Sequence, residues 1–194
     1  MPFVDLVVVT MAAATAVMVV KNRFQSVTYV RSRTDGYPYL VLRRSTREDE
    51  QAAADMLAEL HNRTMKLMDA MPAGDRRTMR LRERYDRSAV SEGGEGYNHT
   101  SFSVNKGQRI VLCLREKTDG KLGRLEEINT VNYVVLHELS HLASESFGHK
   151  PEFWRNFKFI LRVAHRAGLY KRVDYSKRPA QYCGIVIAST SLKN

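Results

Sequence analysis

Within the run VNYVVLHELSHLASES, residues 131–146, two histidines stand four positions apart, with a glutamate directly after the first. The run is apolar around them, with Val134, Val135, Leu136, Leu139 and Leu142, and it predicts a helix. On a helix His137 and His141 lie about one turn apart on one face, so both imidazoles can bind a single Zn²⁺. Glu138 then points toward the remaining side of the metal, where it can take a proton from a zinc-bound water as general base. The apolar surroundings are what such a site needs as a dry, rigid support.

A catalytic zinc takes three protein ligands and a water. Glu145 continues the same helix face but lies about 12 Å along the axis from His137, too far for one ion on a straight helix. His149 follows Gly148, where the chain can leave the helix and turn back, and it is the preferred third ligand. His61, His99 and His165 have no comparable setting and read as structural or surface residues.

The rest of the chain gives a mixed pattern. SVTYVRS and YPYLVLR are β-rich runs around a Thr34-Asp35-Gly36 turn signal. Ser45 and Glu48 fit a capping box that opens an amphipathic helix, which runs to about Met71, before Pro72. Residues 75–87 are dense in charge and read as a short helix with a solvated face; SEGGEG, residues 91–96, reads as a loop. FSV, NKGQ and RIVLCLR read as strand, turn and strand. The second strand has apolar residues on both faces, as a strand buried on both sides would. EKTDGKLGR reads as a loop. Asn129 or Thr130 caps the metal-site helix and Gly148 ends it. Pro151 opens a following helix that stops at Gly168, and CGIVIAS is a last β-like run.

At 194 residues one domain is the default. Apolar residues make up 43%, which excludes a disordered chain, and 11 Gly with 5 Pro exclude collagen-like and low-complexity classes. Two cysteines, Cys113 and Cys183, exclude a disulfide-rich scaffold. Residues 3–20, FVDLVVVTMAAATAVMVV, carry one charge, at Asp5, and are long enough to span a bilayer core. Residues 1–22 therefore read as an N-terminal transmembrane helix, ahead of a domain over 23–194. A buried N-terminal element and a cleaved signal are the competing readings. Lys21, Arg23, Arg31 and Arg33 follow the segment, so the positive-inside rule puts a single-pass protein's catalytic domain, with reduced thiols, on the cytoplasmic side.

HELSHLASESFGHKPEFW resembles the active-site signature of zincin metallopeptidases of the WLM and SprT-like families. The resemblance covers residues 97–187 well and 26–90 more weakly. Within the group, the chain looks most like proteins of large DNA viruses and algae. It implies a small α+β zincin-like fold with one Zn²⁺ held by His137, His141 and His149, Glu138 as general base, and hydrolysis of peptide bonds in a protein substrate. It also implies that the strand ahead of the helix, here near Ile110–Leu114, aligns the peptide by backbone pairing. Tyr182, in the YCG element after the last helix, is a candidate transition-state stabiliser, with a packing aromatic as its plainer reading.

Lys and Arg outnumber Asp and Glu by 31 to 21, and most of that excess follows residue 100. Arg155, Lys158, Arg162 and Arg166 form one stripe on the last helix, a candidate contact for nucleic acid phosphates or anionic lipid; a solvated helix face is the plainer reading. WLM and SprT-like relatives include proteases that act on DNA-bound proteins, which favours nucleic acid a little. The alternative to a peptidase is a non-catalytic zinc module whose basic face binds nucleic acid or membrane, with Cys183 as a fourth ligand closing the site.

Overall fold

The structure is a computed structural model that describes residues 27–93, 100–118 and 121–189. The anchor expected over residues 1–22 lies outside the described residues. Among the described residues no helix is long and apolar enough to cross a membrane.

The Asp-Gly turn delivers the expected hairpin: β1 (Val27–Arg31) pairs antiparallel with β2 (Pro38–Leu42). Helix α1 (Arg47–Ala70) follows, packs on the sheet and buries Ala53, Ala54, Leu57, Leu60, Leu67 and Met68 in the core. Its cap is Thr46 rather than the expected Ser45: the Thr46 hydroxyl accepts the N–H of Asp49 at 3.2 Å. Glu48 does not reach back but pairs with Arg33, and the N–H of Arg44 goes to Glu50.

Strands β3 (Val90–Glu92), β4 (Phe102–Val104) and β5 (Arg109–Leu112) complete a five-stranded sheet in the order β1-β2-β3-β5-β4. β3 runs parallel to its neighbours β2 and β5, whereas β4 pairs antiparallel with β5. The strand expected to hold a peptide, near Ile110–Leu114, is thus interior, flanked on both sides; the edge beside the metal-site helix is β4. As the two-faced apolar pattern predicts, Ile110, Val111 and Leu112 are all buried.

RIVLCLR is not one strand. β5 stops at Leu112, and the chain re-enters strand at β6 (Arg115–Thr118), which pairs with β7 (Lys121–Leu125). The break turns Arg115 inward, where its guanidinium meets Glu92 and Asp49, each at 2.7 Å. The loop expected over 116–124 is this hairpin, and the Asp119-Gly120 turn itself lies outside the described residues.

Helix α2 (Arg76–Arg84), capped by Asp75, is not the solvated helix its charge suggests. Arg77 stacks 3.5 Å over Phe159, and Arg80 and Arg84 reach the end of the metal-site helix. That helix, α3 (Ile128–Ala143), starts earlier than expected, because the Glu127 carboxylate accepts the N–H of Thr130 at 2.9 Å. Asn129, the expected cap, instead makes a two-way bond with the backbone of Lys171. α3 ends at Ala143 rather than near Gly148, leaving a loop over 144–150. α4 (Pro151–Arg166) opens on Pro151 as expected and packs on α3.

The last β-like run is a hairpin of β8 (Ala180–Tyr182) and β9 (Ile185–Ile187). Cys113 and Cys183 are joined in a disulfide, so neither is the reduced thiol expected, and Cys183 is not available as a metal ligand. Sequence spacing could not reveal the pair, since it is the fold that brings residues 113 and 183 together.

Candidate active site

α3 and the loop after it bring three imidazoles together. The ligand atoms of His137, His141 and His149 all lie within 4.8 Å of one another, and the Nε2 atoms of His137 and His149 approach to 2.9 Å. Phe153 is fully buried beneath them, with ring centroids 4.8, 4.3 and 4.7 Å from His137, His141 and His149. It comes from the first turn of α4, which explains why the Pro-Glu-Phe-Trp run follows His149 so closely. Burial, with His141 and His149 nearby, pushes the His137 pKa down to about 3, and burial, with His149 and Lys106, pushes His141 to about 4. Both are therefore neutral near pH 7, the form that offers a lone pair to a metal. Three converging imidazoles form a donor set that fits Zn²⁺. Glu145, the rejected candidate, instead pairs with Arg80.

Glu138 is buried at 6% exposure, facing the cleft. Ser103, on edge strand β4, favours the charged form of Glu138 through side chain and backbone. Burial raises its pKa although Ser103 opposes the shift.

The loop that presents His149 is tied down from three sides. Glu152 accepts the N–H of Glu145 and of Ser146. Arg84 donates to the carbonyls of Leu142 and Ser144. Lys106, in the β4–β5 turn, donates to the carbonyls of Ser144 at 2.7 Å and Ser146 at 2.5 Å, with a longer bond to His141. Arg84 and Lys106 are cationic side chains at a helix C-terminus, where the carbonyls lack helical partners. None of these three was singled out from sequence for such a role. The helix-end logic could have flagged a basic residue near the end of α3 in sequence, but not one from 60 residues upstream.

Tyr182 is buried and lines the cleft together with His137 and Glu138. Its hydroxyl donates to the carbonyl of Cys113 at 2.7 Å and lies 2.8 Å from the Ser101 hydroxyl. Burial holds its pKa well above the ordinary tyrosine value. Arg155, Arg162 and Arg166 are exposed on α4 and Lys158 is half-buried. His61 meets the Tyr85 hydroxyl at 3.0 Å and His165 lies near the Tyr170 carbonyl, both outside the cluster; His99 is outside the described residues.

The cleft has two lobes that meet at Ser101, His137 and Glu138. One, of about 310 Å³, is polar at Ser103, Asn105 and Lys106 and runs to Phe147 and His149. The other, of about 280 Å³, is bounded by Tyr133, Val134, Trp154, Phe157 and the C-terminal hairpin.

Over 180 residues the chain is 32% identical to the uncharacterized protein R325 of Acanthamoeba polyphaga mimivirus, covering 89% of this chain and 88% of that one. Over 70 residues, 36% of this chain and 38% of the other, it is 37% identical to the uncharacterized protein 136R of Invertebrate iridescent virus 6. Among solved structures it is similar to Wss1 from Saccharomyces cerevisiae, with a TM-score of 0.48 and 18% identity, covering 66% of this chain and 90% of that one. No family model matches the chain.

Proposed function

We propose that this chain, which belongs to the family of the mimivirus protein R325, is a zinc-dependent metallopeptidase acting on protein substrates. The observation that carries the reading is the convergence of His137, His141 and His149 on one point, beside the buried carboxylate of Glu138, at an open cleft. When bound, zinc supplies a Lewis acid that lowers the pKa of water toward neutrality and polarises a carbonyl.

The chain's own residues do the remainder. Glu138 takes a proton from the attacking water on its carboxylate and delivers it to the leaving amine nitrogen. Burial raises the carboxyl pKa against the opposing effect of Ser103, which suits a group that must hold the proton between the two transfers. β4, the edge strand beside the cleft, is the element positioned to align an extended peptide, in place of the interior β5. Tyr182 is assigned to support, because its hydroxyl is committed to Cys113 and Ser101.

Glu138→Gln tests the reading. It should keep one zinc per chain and lower hydrolysis of a denatured protein about 10²- to 10⁴-fold, the usual worth of a general base. Full hydrolysis in that variant rejects the mechanism. His149→Ala should lower zinc occupancy, and unchanged stoichiometry would assign the third ligand elsewhere.

A second activity, binding of nucleic acid or anionic lipid by the stripe of Arg155, Arg162 and Arg166, is proposed from the sequence pattern alone, since their exposure is equally that of a solvated helix face. Steeply salt-dependent DNA binding tests it. The apolar run of residues 3–20 is proposed as a membrane anchor, to be tested with a reporter fused to residues 1–25. The Cys113–Cys183 disulfide weighs against a cytoplasmic orientation, since such bonds persist in oxidising surroundings.

A further inference from the structure

Among the described residues eight large apolar side chains are exposed, and four of them, Phe147, Trp154, Ile185 and Val186, border the two lobes of the cleft. Three stand together at the second lobe: Trp154 is 46% exposed, Ile185 48% and Val186 53%. Apolar surface gathered in this way at a site favours a ligand that covers it. The lobe is continuous with the metal site through His137 and Glu138, so its occupant is the group next to the reacting bond. At about 280 Å³ it has room for one large side chain, below the usual size of cavities that take whole drug-sized ligands.

The wall carrying Ile185 and Val186 has little to support it in the sheet. β8 and β9 have three residues each and pair only with one another. Such a ribbon is marginal by itself. Its two-residue turn, Cys183-Gly184, puts both residues at positive φ, +49° and +82°, the backbone that a tight hairpin requires and that a cysteine adopts at a cost. What fixes the ribbon is attachment behind the cleft. Cys183 is bonded to Cys113 just past β5, its N–H goes to the Glu126 carboxylate at 2.8 Å, and the neighbouring Tyr182 donates to the Cys113 carbonyl. His137 and His141 stand on α3, and His149 on the loop between α3 and α4, so none of the three is carried by the hairpin.

Resting on the peptidase reading above, we infer that the C-terminal hairpin is a substrate-selecting wall. With Trp154 it accepts a large apolar side chain of the peptide beside the scissile bond, and the Cys113–Cys183 disulfide keeps the wall in register. A dithiol opens the clip by a balanced exchange: the protein disulfide takes two electrons and two protons and becomes two thiols, and the dithiol becomes a cyclic disulfide. Reduction therefore alters peptide selection and leaves the metal centre intact.

The test uses zinc-loaded Glu138→Gln, so that binding is read without turnover. Fluorescein-labelled peptides, identical except for Phe, Leu, Asp or Lys at one varied position, are titrated by anisotropy. The Phe and Leu peptides should bind at least about tenfold more tightly, on the order of one buried side chain's apolar contribution. Ile185→Ser with Val186→Ser, both exposed and so tolerable to the fold, should bring the preference below about twofold at unchanged zinc affinity. Cys113→Ser with Cys183→Ser, or dithiothreitol on the parent, should do the same. Equal binding of all four peptides overturns the inference, as does a preference that survives when Ile185→Ser and Val186→Ser are combined. A preference that survives loss of the disulfide overturns the clip. Selective binding in a chain whose wild type cleaves none of the peptides defeats the peptidase reading and leaves the wall standing.

Discussion

The carboxylate of Glu152 accepts the backbone N–H of Glu145 at 2.8 Å and that of Ser146 at 2.9 Å, so the first turn of α4 holds the loop that presents His149. These bonds, led by the one from Glu145, pull its pKa from the ordinary 4.5 down to about 2. A depressed carboxylate contributes stability that is present above 4.5 and is lost as pH falls toward 2. Hydrogen exchange at the Glu145 and Ser146 amides should therefore gain on the rest of the domain across that window. Glu152→Ala should show fast exchange there already at neutral pH, with zinc affinity lower by about tenfold, the size expected when a ligand loses its support. Unchanged zinc affinity would mean that the loop positions His149 without Glu152.

Arg84 is the corresponding fixture on the other side of α3. Its Nη1 donates to the carbonyls of Leu142 and Ser144 at 2.8 and 2.9 Å, at the helix end where backbone acceptors lack partners. Arg84→Met keeps much of the apolar stem and removes both bonds. It should lower unfolding free energy by roughly 1.5–3 kcal/mol, the range for bonds to a charged group. The reading is a lower urea midpoint at an unchanged slope.

Gly107, in the β4–β5 turn, has φ +108°, and a Cβ there would lie 2.4 Å from the Arg84 carbonyl oxygen and 3.1 Å from Leu142. Backbone cannot swing aside as a side chain does. Gly107→Ala should therefore cost about 1–3 kcal/mol from crowding and strained φ together. Because the same turn carries Lys106 to the carbonyls after α3, the variant should also weaken zinc binding. A stable variant with full zinc affinity would show that the turn and the loop over 144–150 are not coupled.

The cluster of His137, His141 and His149 beside Glu138 was legible in sequence because its signal is local. His137, Glu138 and His141 need only one helix, and His149 needs only a loop after it. The helices and the first hairpin followed from period and turn residues for the same reason, whereas the β6–β7 hairpin read as a loop. What escaped was everything assembled across the chain. β4 takes the edge and β5 the interior because of sheet order, which the run FSV-NKGQ-RIVLCLR does not encode. Arg80 and Arg84 belong to a charged nine-residue helix whose pattern reads as solvent-facing until α3 is placed beside it. The same holds for the disulfide, and hence for the wall it holds: Cys183 read as a free thiol because nothing near it in sequence points to Cys113.

Arg115 gives the sharpest pH test. It is 1% exposed and meets Glu92, itself 1% exposed at the side chain, at 2.7 Å, with Asp49 on its other side. Burial raises the Glu92 pKa although Arg115 opposes it. Arg115→Met removes that opposition and leaves an unpaired buried carboxylate, at a cost of about 3–5 kcal/mol near neutral pH. With its folded pKa above the unfolded one, Glu92 makes the folded state bind more protons, so stability is fullest at low pH and falls as pH rises through the folded value. The urea midpoint of Arg115→Met should therefore lie closer to that of the parent at pH 5 than at pH 8. Adding Glu92→Leu should recover most of the loss and flatten the pH dependence, because no buried charge then remains without a partner. A deficit of equal size at both pH values would show that Arg115 contributes through packing rather than through its pairing with Glu92.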